Sequence, residues 1–336
     1  MSARRLGATF GVLAASCAGV PESSLSSHGE AVSGGEISGA VDDFVVRLRV
    51  DQPDPYEDVS CSGVLLAPNL VLTALHCVAV YDGPDEFWCR PDGSLGPGPT
   101  GGWIGETVDP GGIDVIFGTE LASGVAARGT SVLGSGSTVV CVDDLAFVVL
   151  DTALPVGKIP VRLEQPVVRG ERMTVIGYGQ NDWRDTPRAR RSDIAVLDVG
   201  PDDTADGAGT IAPRTFVLDG GPCDGDSGGP ALSDESGAVA GVFSYNFAGD
   251  CTQPGTRASF AKLAPLASLL ERAFEAAGQT PRIEGREEAP VAPARSRSGC
   301  TLGAGERDPA RVGLMGGALA VLLVRRRRAV RYARRS

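Results

Sequence analysis

The sequence predicts an all-β protein. Short apolar runs recur between Gly-, Pro- and Asp-rich turns, and the 46 glycines and 23 prolines are typical of short strands joined by tight turns. The strand-like runs are DFVVRLRV, SGVLLAPNLVLTAL, IDVIFG, LAFVVLD, RMTVIGYG and GAVAGVFSY. A helical pattern, FAKLAPLASLLERAFEAAG, follows them, with apolar residues three and four apart and Gly278 as a stop signal. The 336 residues can hold one large all-β domain plus processing segments.

The N-terminal residues predict an export signal. Arginines precede an apolar run from Leu6 to Ala15 and then small residues, which is the order of a signal peptide, and the run is too short to span a membrane. We assign residues 1–16 to a signal peptide and residues 17–31 to a leader or propeptide. LAASC ends on Cys17 and resembles a bacterial lipoprotein signal, which implies a lipid on that cysteine. An ordinary signal peptide with an incidental cysteine is the alternative.

The C-terminal residues 300–336 have the composition of an anchor. The apolar stretch VGLMGGALAVLLV has thirteen residues and precedes an arginine-rich end. A helix needs about 20 residues to cross a bilayer, so a surface helix with a basic tail is the alternative. The order of Gly-Cys, apolar helix and arginines resembles the C-terminal sorting signal of myxobacterial exported proteins, which implies processing or anchoring at Cys300. Residues 278–299 lack periodicity and are predicted to be a linker.

Charge and cysteines favour an exported protein over a nucleic-acid binder. The formal charge is −11, but the segment from Cys300 onward carries +7, which leaves about −18 for the remainder. Phosphate binding requires a basic surface, so this remainder argues against a nucleic-acid partner. Six of the eight cysteines lie in the predicted domain and form no CxxC pair, which predicts three disulfides rather than a zinc site.

The stretch GPCDGDSGGPALSD surrounds Ser227 with glycines and acids. Glycine at this density indicates backbone that turns sharply or approaches another group closely. We interpret Ser227 as a reactive hydroxyl whose neighbouring N–H groups bind a substrate carbonyl. Such a serine needs a base elsewhere in the chain.

His76 is the candidate base, because the other histidine, His28, lies in the leader. It ends the apolar run NLVLTALHC, and a disulfide from Cys61 to Cys77 would fix this strand end and stabilise the fold by about 3 kcal/mol. A lone histidine is more often structural than catalytic, so its interpretation depends on an acidic partner.

Three aspartates flank the run LAFVVL, namely Asp143, Asp144 and Asp151. A carboxylate beside so apolar a strand is costly unless it is paired. Asp144 adjoins the run and is predicted to orient the imidazole. Asp143 is expected to face solvent, and Asp151 to close the strand.

These motifs together resemble those of the trypsin/chymotrypsin-like serine endopeptidases. LTALHC is similar to the family's histidine motif, with Leu75 in place of the usual alanine, DLAFVVL is similar to its aspartate motif, and CDGDSGGP matches its serine motif without a gap. The order of the three differs from that in subtilisin-like and α/β-hydrolase enzymes. The resemblance covers about residues 32–277. It implies two antiparallel six-stranded β-barrels followed by a C-terminal helix.

The resemblance assigns the catalytic roles. Ser227 is expected to attack the peptide carbonyl, His76 to transfer the proton, and Asp144 to hold the imidazole. The first barrel would carry His76 and Asp144, and the second Ser227. The N–H groups of Gly225 and Ser227 are expected to form the oxyanion hole.

The resemblance also implies activation by proteolysis. Asp226 is expected to receive the new amino terminus at Val32, which begins VSGGE. Cleavage would follow Ala31 rather than the usual arginine or lysine, and this departure leaves both the activating protease and the zymogen scheme open.

The substrate pocket predicted from the resemblance consists of Gly221, Ser244, Tyr245, Asn246 and Gly255. Trypsin-like enzymes carry an acid at the position of Gly221, so a preference for Arg or Lys is not expected. Asn246 should narrow the entrance, and Gly255 should keep the opposite wall open. We expect an uncharged residue before the scissile bond, unless Asp250 points inward.

By the same resemblance Cys223 pairs with Cys251, which leaves Cys89 to pair with Cys141 and tether the strand of Asp144. The predicted function is a secreted or surface-anchored, monomeric serine endopeptidase with no cofactor and no metal. A non-catalytic pseudoprotease that acts as a binding protein on the same scaffold is the alternative, and an esterase would use the same trio. No member of the trio is missing, which favours the enzyme.

Overall fold

The computed structural model of the chain describes residues 32–83, 87–119, 124–179, 187–203, 210–247, 251, 253 and 255–286. The predicted signal peptide, leader and C-terminal segment, including Cys17 and Cys300, lie outside these residues, as does Asp250. The chain divides into a unit of residues 1–288 and a unit of residues 289–336, and the description below concerns the first.

The described part is built mostly of strands. In chain order they are β1 (Glu36–Ile37), β2 (Val45–Val50), β3 (Val59–Ala67), β4 (Leu70–Thr73), β5 (Ala79–Tyr81), β6 (Ile104–Thr107), β7 (Ile113–Ile116), β8 (Ala127–Gly134), β9 (Ala146–Leu150), β10 (Pro160–Val161), β11 (Arg172–Gly177), β12 (Ala189–Val199), β13 (Asp202–Asp203), β14 (Thr210–Ile211), β15 (Thr215–Asp219), β16 (Pro230–Ser233), β17 (Val239–Asn246), β18 (Arg257–Lys262) and β19 (Arg282–Ile283). The α-helix α1 spans Ala267–Ala276.

Two closed antiparallel barrels of six strands each form the fold, and this confirms the predicted architecture. The first barrel has the strand order β2-β3-β4-β9-β8-β7. The second has the order β16-β11-β12-β15-β18-β17, and it closes where β16 pairs with β17. Because each sheet closes on itself, neither barrel presents a long open edge strand.

Strand β9 shows why the run beside Asp144 is apolar at every position. Successive side chains of a strand point to opposite faces. Ala146, Val148 and Leu150 belong to the core of the first barrel, whereas Phe147 and Val149 join a cluster that includes side chains of α1. Both faces of β9 are therefore buried, and a polar group at its start has no water to contact.

Helix α1 packs its apolar face on the barrels through Leu269, Leu270, Ala273 and Phe274. The predicted helix was too long at its start, because Phe260 and Ala261 pair with neighbouring strands as part of β18. Its predicted end is confirmed at Gly278, which has a positive φ of 65°. None of the helices in the described part of the chain has the length and apolar character needed to span a bilayer.

The predicted linker of residues 278–299 requires a correction at its start. The chain continues past α1 along the domain surface, and β19 pairs in parallel with β10. Glu284 forms a bidentate ion pair with the buried Arg162, through bonds of 2.6 and 2.8 Å. This pair joins residues 122 positions apart, so the local sequence gives no sign of it.

Candidate active site

His76 lies in a short 3₁₀ turn, Leu75–Cys77, that follows β4. The adjacent Cys77 forms the predicted disulfide with Cys61 on β3, so the turn is fixed covalently to the next strand of the barrel. His76 is 9% exposed, and the ring of Tyr81 lies 5.1 Å from its own between centroids. The imidazole is thus held by its own turn, a disulfide and an aromatic neighbour.

The structure brings His76 and Asp144 together as the sequence predicts. His76 Nδ1 lies 2.7 Å from Asp144 Oδ2, and the His76 backbone N–H donates to Oδ1 at 2.9 Å. Ser244 Oγ donates to Oδ2 at 2.5 Å. Asp144 is fully buried, and these donors satisfy the carboxylate without water. An imidazole whose Nδ1–H donates to this carboxylate presents Nε2 as a proton acceptor.

Asp143 does not face solvent as the sequence suggests. It has a positive φ of 54°, and its carboxylate forms an ion pair with Arg214 of the second barrel. Burial raises the pKa of Asp143, and the charge of Arg214 opposes this effect. The left-handed backbone conformation thus lets two consecutive aspartates face different partners.

The glycines around Ser227 let its loop approach the first barrel closely. A Cβ on Gly228 would lie 2.0 Å from Thr73 Oγ1 and 2.4 Å from Ser62 O, and Gly228 has a φ of +80°. The backbone N–H of Ser62 donates to Ser227 O at 2.8 Å, and Cys77 Sγ lies 3.6 Å from the same oxygen. Ser227 is therefore positioned directly beside the turn that carries His76.

Ser62 was missed from the sequence, although it connects the barrels at the serine loop. Its hydroxyl donates to Gly225 O at 3.1 Å and accepts from the Tyr178 N–H at 3.0 Å. Gly225 has a φ of +83°, which favours glycine at this position of the loop. No local signal distinguishes Ser62 from Ser60 on the same strand.

Asp226 and Val32 are also in contact. Asp226 is fully buried, and its carboxylate accepts from the N–H groups of Val32 (3.0 Å), Cys223 (2.8 Å) and Gly179 (2.7 Å). A Cβ on Gly177 would lie 2.1 Å from Asp226 Oδ1, so glycine is needed at this position to leave room for the carboxylate. Burial is the main cause that raises the pKa of Asp226 to about 7.

Ser244, Tyr245 and Asn246 of the predicted pocket form the end of β17, and Gly255 precedes β18. Asn246 Nδ2 donates to Pro222 O at 3.1 Å, so its side chain spans from the wall to the segment after Gly221. The cross-strand neighbour of Asn246 on β18 is Ala258. Gly255, just before β18, is exposed and has open space at its Cβ position. The Ser244 hydroxyl donates to Asp144.

The structure contains the three predicted disulfides, Cys61–Cys77, Cys89–Cys141 and Cys223–Cys251. Among the described residues, the one grouping of potential metal ligands consists of His76 with Cys61 and Cys77. Because the two sulfurs are joined to each other, this grouping offers no thiolate to a metal.

Comparison with known proteins agrees with this geometry. Residues 61–242, more than half of the chain, match the family model described as trypsin-like peptidase domain. A trypsin of Saccharopolyspora erythraea is 26% identical over 253 residues, which cover 71% of this chain and 96% of that protein. HL collagenase, a solved structure, is similar in fold, with a TM-score of 0.54 and 20% identity, over 73% of this chain and 99% of its own. The chain therefore belongs to the trypsin-like peptidase family and is a serine-type endopeptidase.

Proposed function

We propose that Ser227 is the nucleophile of this endopeptidase, that His76 is its general base, and that Asp144 orients the imidazole and stabilises the imidazolium. The observation that carries the proposal is the buried Asp144 carboxylate, which holds His76 at both Nδ1 and the backbone N–H. Ser227 acts from the adjacent glycine loop, where the N–H groups of Gly225 and Ser227 bind the oxyanion. Peptides are cleaved through an acyl-enzyme, without a cofactor.

Labelling with a fluorophosphonate tests this assignment. A chain that begins at Val32 is expected to incorporate the probe, and its Ser227→Ala variant is expected to incorporate none. A folded, correctly terminated chain that takes up no label would contradict the proposal and favour the pseudoprotease alternative. Hydrolysis of ester substrates without any cleavage of peptides would favour the esterase.

We propose that activation frees the amine of Val32, which then forms an ion pair with Asp226. The support is the contact between the Val32 nitrogen and the Asp226 carboxylate, in a site where Val32 is fully buried. Disulfides indicate an extracellular protein. Export by the N-terminal signal, lipid on Cys17, anchoring through the segment of Cys300 and a monomeric state remain predictions.

A small uncharged residue before the scissile bond is the proposed preference. Gly221 contributes no charge to the pocket, and the Asn246 side chain reaches to Pro222 O across its entrance. The other residues predicted to line the pocket, Ser244, Tyr245 and Gly255, have uncharged side chains as well.

Asn246→Ala is expected to raise kcat/KM for phenylalanine relative to alanine before the scissile bond by about tenfold, because removing the amide opens the entrance. Matched peptides that differ only at this residue provide the measurement. Asn69→Ala, at the turn before β4, is the control and should leave the ratio unchanged. An unaltered ratio in Asn246→Ala would show that the side chain does not limit the pocket.

Ser62→Ala is expected to lower kcat by about tenfold with a smaller change in KM, because it leaves Gly225 O and the Tyr178 N–H without their shared partner. Ser60→Ala is the matched control, since Ser60 lies on the same strand and its hydroxyl accepts from Arg47 Nε at 2.8 Å instead. Equal kinetic effects of the two substitutions would contradict a role for Ser62 in positioning the serine loop.

A further inference from the structure

The second barrel has a cavity at the end of β17 that is remote from the catalytic groups. We name it the second-barrel cavity, and its volume is about 190 Å³. Its lining comes from the segment before β11, the start of β17, the ends of β12 and β18 and the turn before α1, and it includes Val167, Val199, Ala240, Lys262, Ala264 and Pro265. Along β17, Ala240 lies four residues before Ser244, which is about 13 Å in an extended strand. The cavity is therefore separate from the site around Asp144 and Ser227.

The lining of the second-barrel cavity is mostly apolar. Val167, Val199 and Ala240 pack in the core of the second barrel, and Pro166 and Pro265 add further apolar surface. Proline has no backbone N–H, so these two positions offer no donor to a ligand. An apolar cavity of about 150 Å³ in another protein binds benzene. The second-barrel cavity therefore has room for an apolar group of about the size of a phenyl ring.

Lys262 places a positive charge on this apolar lining. The chain has two lysines, Lys158 and Lys262, and Lys262 is half-buried at the end of β18. Its Nζ donates to Gly200 O at 3.2 Å. No carboxylate of the described residues forms an ion pair with it, and burial lowers the pKa of its ammonium group. An ammonium group has three donors, so two of them are left for a ligand.

The other cation of the lining, Arg162, already has its counter-charges. Its guanidinium forms two bonds with Glu284, of 2.6 and 2.8 Å, and a third with Glu171. These bonds use the groups that would otherwise bind an anion, and they hold the chain around Arg162 and Glu284 against the barrel. This side of the cavity is therefore formed without a ligand, and an anion is expected to bind at Lys262 instead.

We propose that the second-barrel cavity binds a small carboxylate that carries an apolar group of the size of a phenyl ring. The carboxylate pairs with Lys262, and the apolar group packs against Val167, Val199 and Ala240. The ligand thus supplies the counter-charge that the described part of the fold does not provide for Lys262, and a charge-assisted hydrogen bond is stronger in apolar surroundings than in water. Removing the apolar group from water adds to the affinity. Binding involves none of the catalytic groups and does not depend on the proposed function.

Titration with phenylacetate tests the site. The full chain carries Ser227→Ala to prevent self-cleavage and is labelled with ¹³C at the lysine Cε atoms, so its NMR spectrum contains only two lysine signals. Phenylacetate is expected to shift the Lys262 signal to saturation and to leave the Lys158 signal unchanged. Acetate, which lacks the ring, and phenylacetamide, which lacks the charge, should each bind about tenfold more weakly. Lys158→Met assigns the two signals and is the control, because Lys158 donates to Thr280 outside the cavity.

Calorimetric titration of two cavity variants locates the ligand. Lys262→Met should bind phenylacetate no more tightly than phenylacetamide, and Ala264→Leu, which fills the cavity but keeps the lysine, should weaken phenylacetate binding about tenfold. Equal shifts of both lysine signals, or no saturable shift at Lys262, overturn the proposal. So does equal affinity for phenylacetate and phenylacetamide in the chain that retains Lys262, or unchanged phenylacetate binding in Ala264→Leu. Near-ultraviolet circular dichroism establishes that the variants fold, and the comparison of three ligands on one chain does not depend on them.

Discussion

Asp144→Asn is expected to lower kcat about 10⁴-fold while the protein remains folded. The asparagine amide can donate a hydrogen bond to the imidazole, which favours the tautomer with the proton on Nε2 and leaves no acceptor for the Ser227 hydroxyl. The imidazolium that forms during acylation also loses its buried counter-charge. Asp144 accepts from both His76 and Ser244. The substitution therefore changes the protonation of the imidazole more than the packing around residue 144.

Single-turnover acylation of the chain beginning at Val32 provides the measurement. The neighbouring Asp143→Asn is the control, because Asp143 forms an ion pair with Arg214 rather than with the imidazole, and we expect a far smaller loss. A comparable loss in both variants would indicate general disruption of the segment. A loss below about tenfold in Asp144→Asn would contradict its role as the partner of His76.

The residues nearest the chemistry were predictable from sequence because each lies in a short motif of demanding composition. A buried carboxylate at the start of an apolar strand needs a partner, and His76 was the one imidazole in the domain. The structure brings the two together at 2.7 Å. The Cys61–Cys77 disulfide was predictable from its place beside His76, whereas the Cys223–Cys251 pair followed from the family resemblance and left Cys89 for Cys141.

Features that depend on pairing between distant strands could not be read from the sequence. One example is the register of β17 and β18, which makes Ala258 the cross-strand neighbour of Asn246. That register includes an irregularity between Phe243 and Tyr245, which no local pattern indicates. Glu284 likewise looked like part of a linker, because its partner Arg162 is remote in the chain. Long-range contacts of this kind follow from the closed barrels rather than from motifs.

The stability of the chain before cleavage at Ala31 is expected to fall as the pH rises from about 4 to about 7. In this uncut chain the group that faces Asp226 is the neutral amide of Val32, and burial raises the pKa of the carboxyl from 3.8 to about 7. The folded chain therefore binds more protons than the unfolded chain between these values, and its stability declines across them by about 4 kcal/mol from this group. Above pH 7 the loss is complete.

Cleavage should remove this loss, because the ammonium group of Val32 favours the ionised carboxylate and brings the pKa of Asp226 back down. Urea unfolding at pH 4.5, 6 and 8 is the measurement, on the chain beginning at Val32 and on one that retains residues 17–31. As the pH rises, the free energy of unfolding of the uncut chain should fall relative to that of the cut chain. Asp226→Asn should abolish this difference in pH dependence. The same pH dependence in both chains would contradict a buried carboxyl that has no positively charged partner before cleavage. The expected difference also couples activation to pH, because the cut chain gains its ion pair with the Val32 ammonium only where Asp226 is ionised.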